Sequence, residues 1–94
     1  DDTFYGRADA HIDLSNKQIS DATGHGKVNA SMMYAAARFN AWVSATGWRH
    51  GKDMAASKEE TIEHFISEYR KMLDENLQDY IDNFERYMAG SAGK

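Results

Sequence analysis

The segment Gly24-His25-Gly26-Lys27 is similar to the end of a phosphate-binding loop. In such a loop, backbone N–H groups hold the phosphates and the lysine reaches them. A complete loop also has a glycine five positions before the Gly-Lys pair and a hydroxyl residue after the lysine, but Asp21 and Val28 occupy those positions. We therefore interpret the segment as a turn between two helices.

The four histidines do not have the spacing of a metal site. None has a second histidine three or four residues away, and none has a carboxylate three residues before it, as helical di-iron proteins do. Glu60 and His64 are one turn apart, but both lie opposite the apolar residues of their helix. The chain contains no cysteine, and none of its serines follows a strand-to-helix elbow. We predict no catalytic residue, no metal and no cofactor.

Arg38 lies in a mostly apolar segment, where an unpaired guanidinium is costly to bury. Our first interpretation is a structural ion pair with Asp9 or Asp13. The alternative is an anion or small-molecule site, with or without catalysis, at the mouth of a cleft between helices. The residues of that site would be Arg38, Asn40, Arg49 and His50, helped by Lys52.

Composition predicts one domain spanning residues 1–94. Hydrophobic residues make up 41% of the chain and charged residues 28%, which is typical of a globular protein. Proline is absent, and this favours long helices with few connections. No apolar run approaches the length of a membrane span, so we expect no membrane partner. The lack of cysteine fits a cytoplasmic protein.

The net charge of −4 comes from the C-terminal part of the chain. Residues 1–54 carry six acidic and six basic residues, whereas residues 55–94 carry nine acidic and five basic ones. A protein that binds nucleic acid needs a basic surface to displace counterions from the phosphates. We therefore expect no nucleic-acid partner.

Apolar residues recur at helical spacing in three segments, near 3–21, 29–46 and 57–88. This pattern predicts an all-α fold, a three-helix arrangement with two shorter helices and one long C-terminal helix. A turn at 22–27 and a loop at 48–56 would connect them, and the tail 89–94 would be frayed. The second helix is apolar nearly all round, which predicts that it is central and the most buried. Its most buried side chains would be those of Met32, Ala35, Phe39 and Val43.

Two local patterns predict helix ends. Gly47 follows the second apolar segment, as a C-terminal cap does. Ser57 precedes Glu60 by three residues, which is the capping-box pattern of a helix that is about to begin.

The length of the last helix has a consequence for assembly. A helix over 57–88 would span about 45 Å, against about 27 Å for each earlier helix. Either it bends near Asp74–Asn76, or a second chain covers its far end. We favour a second chain, because no glycine or proline is present to break the helix. The sequence thus predicts a homodimer, or a complex with another protein, through Leu77, Tyr80, Ile81, Phe84, Tyr87 and Met88.

Three stretches of the chain also resemble a known family. They are residues 4–16 (FYGRADAHIDLSN), 31–41 (SMMYAAARFNA) and 68–80 (EYRKMLDENLQDY). They are similar to a small proteobacterial family of uncharacterised helical proteins, domain-of-unknown-function family 3144, and the likeness runs from about residue 4 to residue 87. The resemblance implies a helical bacterial domain and supplies no catalytic or binding residue.

Together, these observations favour a non-enzymatic helical module that works by self-association or by binding another protein. The alternative function is binding of an anion or small molecule around Arg38.

Overall fold

The computed structural model describes residues 2–91, and this part of the chain is all-α with no strand. The predicted fold class is therefore confirmed, but five α-helices replace the predicted three. They are α1 (Asp2–Gln18), α2 (His25–Ala45), α3 (Gly51–Ala56), α4 (Lys58–Asp82) and α5 (Phe84–Met88). The chain divides into two units, Asp1–Gly47 and Trp48–Lys94.

The first unit consists of α1 and α2, which contact each other. The turn between them is closed by two hydrogen bonds: the Ser20 amide donates to the Thr23 carbonyl at 2.8 Å, and the Thr23 amide donates to the Ser20 hydroxyl at 3.1 Å. Gly24 is the N-cap of α2. The turn therefore lies earlier than predicted, and His25, Gly26 and Lys27 belong to the helix.

Burial along α2 differs from the prediction. Val28 is buried, with 4% of its surface exposed, and Met32 is half-buried. Phe39 lies on the same helical face, yet 62% of its surface is exposed, and Ala35 and Val43 are exposed as well. The prediction that Met32, Ala35, Phe39 and Val43 are nearly inaccessible is therefore wrong, although the buried side chain of the described residues does belong to α2. An apolar side chain is buried only where a neighbouring element covers it, and the face of α2 continues without cover beyond Met32.

The second unit begins with a short helix where the sequence predicts a loop. Helix α3 contacts α4, and Met54 of α3 and Phe65 of α4 are half-buried. The chain enters α4 from α3 through a turn at Ser57, where φ is −103° and ψ is 7°, and the Ser57 amide donates to the Met54 carbonyl at 3.1 Å. Because Ser57 lacks the extended backbone of an N-cap, its side chain makes no capping hydrogen bond. The predicted capping box does not form.

Helix α4 passes through Asp74–Asn76 without a break and ends at Asp82. The chain therefore does not fold back near Asn76. The break occurs at Asn83, where φ is −121° and ψ is 24°. The Asp79 carbonyl accepts two hydrogen bonds from Asn83, one from its backbone N–H at 3.1 Å and one from its side-chain amide at 2.9 Å.

After the break, α5 and a 3₁₀ turn at Ala89–Ser91 complete the described chain. The sequence predicts a frayed tail over 89–94, and its first three residues instead form this turn. Residues 92–94 lie outside the described part.

Candidate association surface

Helix α4 carries a continuous line of exposed apolar side chains, which we call the α4 stripe. Its members recur at steps of three or four residues, so they share one side of the helix. All of them are exposed, and Leu77, at 53%, is typical. The α4 stripe consists of Ile62, Ile66, Tyr69, Leu73, Leu77 and Tyr80.

The break at Asn83 changes what lies beyond the stripe. Of the predicted interface residues, Leu77, Tyr80 and Ile81 are on α4, whereas Phe84, Tyr87 and Met88 are on α5. The rings of Tyr80 and Tyr87 pack edge to face at 4.9 Å, and Met88 is half-buried. The six residues therefore do not form one continuous helical face, although Ile81 and Phe84 are both well exposed.

A polar cluster that we call the Tyr87 corner stabilises this break. The Tyr87 hydroxyl donates to the Asp79 carboxylate at 3.1 Å, and the Asn83 side-chain amide donates to the same carboxylate at 3.0 Å. The Arg86 guanidinium lies over the Tyr87 ring, 5.1 Å from its centre, and donates to the Asn83 side-chain oxygen at 3.2 Å. Asp79, Asn83 and Tyr87 follow one another at four-residue steps, and this spacing is the signal in the sequence that the prediction missed.

We expect Tyr87→Phe to loosen α5. The substitution keeps the aromatic contact with Tyr80 but removes the hydroxyl that bonds to Asp79. Because the corner is exposed, the loss should be about 0.5–1 kcal/mol. The measurement is hydrogen exchange at the residue 87 amide, which donates to the Asn83 carbonyl at 2.9 Å. Tyr34→Phe, at an exposed position of α2, is the control and should leave this exchange rate unchanged. Equal exchange rates in the two variants would contradict a stabilising role for the hydroxyl.

A second exposed apolar surface lies on the C-terminal half of α2. We call it the α2 face, and it consists of Phe39, Trp42 and Val43. The ring centres of Phe39 and Trp42 are 5.5 Å apart. Each of these two residues has 62% of its surface exposed. Because two large rings in contact share one side of the helix, the α2 face can bury a sizeable area against a partner.

Arg38 flanks the α2 face and is itself exposed. In the described part of the chain Arg38 forms no ion pair with Asp9 or Asp13. The prediction of a structural ion pair with one of these residues is therefore wrong. The physical reason is that α2 is exposed at this point, so water can solvate the guanidinium. Asn40, the other α2 residue of the candidate anion site, is half-buried.

The remaining residues of the candidate anion site lie in the second unit. Arg49 and His50 precede α3, and His50 is its N-cap. Binding of an anion by these residues together with Arg38 and Asn40 stays a prediction. The described residues include no group of three or more metal-ligating side chains placed to hold a metal ion.

The ion pair on α4 joins Lys71 Nζ and Glu68 Oε2 at 2.9 Å. The hydrogen bond from Lys71, and then its positive charge, lower the pKa of Glu68 below its ordinary value. Both side chains are well exposed, so the pair contributes little to stability. Its consequence is local: the charge of Glu68 is already partly compensated within the helix.

None of the described helices is both long and apolar enough to cross a membrane.

Comparison with known proteins identifies the family. The profile of the family described as "Protein of unknown function (DUF3144)" matches residues 4–81. The chain belongs to this family. The match ends just before the break at Asn83, so it includes the whole α4 stripe but not α5.

A solved structure has the same fold. A protein from Shewanella sp, whose structure was solved by NMR, has 41% sequence identity to this member of the DUF3144 family. The two structures superpose with a TM-score of 0.79. The alignment covers 93% of this chain and 92% of that one. No curated protein matches the chain.

Proposed function

We propose that this DUF3144 protein is a non-enzymatic helical module that works by self-association, as a dimer. The observation that supports the proposal is the exposure of its large apolar side chains. In the described chain Val28 is the buried hydrophobic residue, while the α4 stripe and the α2 face are open to solvent. Soluble monomers rarely expose continuous apolar surfaces of this kind, and such surfaces are typical of protein–protein contacts.

The size of the hydrophobic effect supports association. Each buried Å² of apolar surface contributes about 25 cal/mol, so covering about 400 Å² would contribute roughly 10 kcal/mol. The loss of translational and rotational freedom on association costs about 4–15 kcal/mol, which at its upper end exceeds the gain from one such contact. A second contact of the same size in a symmetric dimer would leave a net gain. A symmetric dimer is also the commonest assembly of soluble oligomers.

Sedimentation velocity over a range of micromolar concentrations tests the proposal. We expect a species of twice the chain mass of 10.6 kDa, whose fraction rises with concentration. The apolar nature of the contact predicts that moderate salt does not abolish the dimer, because salt screens charges and does not weaken apolar burial. A 10.6 kDa species at every concentration would overturn self-association.

A further inference from the structure

The aromatic residues beyond the break at Asn83 keep the spacing of the α4 stripe. Tyr80 is the last member of the stripe, and Phe84 and Tyr87 follow it at steps of four and three residues. The members of the stripe are separated by the same steps. In an uninterrupted helix Phe84 and Tyr87 would therefore lie on the side of the stripe and lengthen it by about two turns.

The break is confined to one residue. No proline or glycine occurs in residues 77–88, and the backbone angles of Asn83 differ from α-helical values by about 60° each. The Asn83 amide still donates to the Asp79 carbonyl at 3.1 Å, and the Tyr87 amide donates to the Asn83 carbonyl at 2.9 Å. Both bonds join residues four apart, as in an α-helix. A rotation at Asn83 would therefore join α4 and α5 into one helix.

The Tyr87 corner is specific to the broken form. In a continuous helix residues 79 and 87 would lie about 12 Å apart along the axis, which is too far for the Tyr87 hydroxyl to reach the Asp79 carboxylate. The rings of Tyr80 and Tyr87 would also separate, because seven residues correspond to about 10 Å. In the broken form these rings are in contact, so Tyr87 covers part of the last residue of the stripe.

A continuous helix would make other contacts in place of the corner. The amides of Phe84, Glu85 and Arg86 lie in the first turn of α5, where they have no acceptor within that helix. A continuous helix would supply the carbonyls of residues 80–82. Asp82 and Arg86 would then be four residues apart with the acid first, which is the favourable order for an ion pair. The hydrogen bonds of the corner are exposed, so they stabilise the broken form only modestly.

We propose that residues 58–88 form a conformational switch, in which association with a second copy converts the broken helix into a continuous one. The proposal rests on the self-association proposed above and concerns its regulation. A partner that covers the α4 stripe also buries Phe84 and Tyr87 along the same side only if the helix is continuous. This difference in buried apolar surface shifts the equilibrium towards the continuous form. The Tyr87 corner stabilises the free chain and is released on association.

Hydrogen exchange at the amides of residues 84–86 distinguishes the two forms. These amides lack a helical acceptor in the broken form and donate to carbonyls of the preceding turn in the continuous helix. Exchange is measured by NMR over the same concentrations as the sedimentation experiment. We expect it to slow as the dimer fraction rises, by about tenfold or more where the dimer predominates.

Asn83→Ala tests the switch in the free chain. The substitution removes the side-chain hydrogen bonds from residue 83 to Asp79 and introduces a strong helix former, so it should favour the continuous helix about tenfold or more. The amides of residues 84–86 should then exchange more slowly even in dilute solution. Because more of the free chain is in the associating form, the dissociation constant should fall about tenfold. Asn83→Gly removes the same bonds but disfavours a helix, so these amides should stay unprotected.

Asn76→Ala is the matched control. The Asn76 side-chain amide donates to the Met72 carbonyl at 2.8 Å, the same bond over four residues that Asn83 makes to Asp79. Asn76 lies within the unbroken part of α4. Its substitution therefore gives the same gain in helix propensity without changing the Tyr87 corner, and exchange at residues 84–86 should match that of the original chain.

Three results would overturn this inference. If a dimer forms but its amides at 84–86 exchange as fast as those of the monomer, association leaves the helix broken, and self-association still stands. If the Asn83→Ala and Asn83→Gly variants exchange equally fast at these amides, residue 83 does not control a continuous helix. If the unsubstituted chain is monomeric at every concentration in sedimentation, the proposed function fails, and the switch driven by a second copy fails with it.

Discussion

Leu77→Asp is expected to dissociate the proposed dimer into monomers while the helical content of the chain stays the same. Leu77 lies in the middle of the α4 stripe with 53% of its surface exposed, so an aspartate there is well solvated in the free chain. In the dimer its charge would be buried against an apolar surface, and burying an unpaired charge is strongly unfavourable. A cost of about 3 kcal/mol or more corresponds to a dissociation constant raised by at least about a hundredfold.

Ser67→Asp is the control for this prediction. Residue 67 is exposed on the same helix, away from the α4 stripe, and the substitution introduces the same charge. Its dimer should therefore dissociate at nearly the concentration of the original chain. Sedimentation equilibrium of both variants gives the comparison. A Leu77→Asp dimer as tight as the Ser67→Asp dimer would show that the α4 stripe is not part of the interface.

Val28→Asp is expected to destabilise the first unit. Val28 is 4% exposed, so the aspartate would be desolvated at a buried position of α2. We expect the free energy of unfolding of the first unit to fall by about 3 kcal/mol or more. Urea unfolding followed by circular dichroism measures it. The Leu77→Asp variant is the suitable background, because dimerisation would otherwise contribute to the measured stability.

Ala30→Asp separates burial from the effect of the new charge on the helix. Residue 30 is exposed and lies in the same part of α2. The interaction of an acidic residue with the N-terminus of α2 is mildly favourable at residue 28 and falls off beyond the first turn, so it does not destabilise either variant. The Ala30→Asp variant should therefore unfold within about 0.5 kcal/mol of its parent. A similar loss in both variants would mean that Val28 contributes nothing specific to the helix contact.

The helical fold class and the approximate positions of the helices followed from the sequence alone. Apolar periodicity and the absence of proline are local properties, and local properties control helix formation. The α4 stripe was predictable for the same reason, because residues three and four positions apart share a helical face in any environment. The family was recognisable from three stretches of sequence, and the match to residues 4–81 confirms it.

Helix ends were less predictable. The break at Asn83 has no glycine or proline; it depends on side-chain hydrogen bonds among Asp79, Asn83 and Tyr87. The sequence predicts a loop in place of α3, because six residues are too few to show a clear helical period. The capping pattern at Ser57 predicts an N-cap, but the turn that arrives from α3 leaves Ser57 without the extended backbone that a cap requires.

Burial was decided by the tertiary structure. The sequence determined that Val28 and Phe39 lie on one face of α2, but it could not determine how far a neighbouring helix covers that face. Val28 is covered and Phe39 is open, because burial depends on the position of a second element and not on the polarity of the residue. The same reason explains Arg38. A guanidinium needs an ion pair only where water is excluded, and water reaches this part of α2.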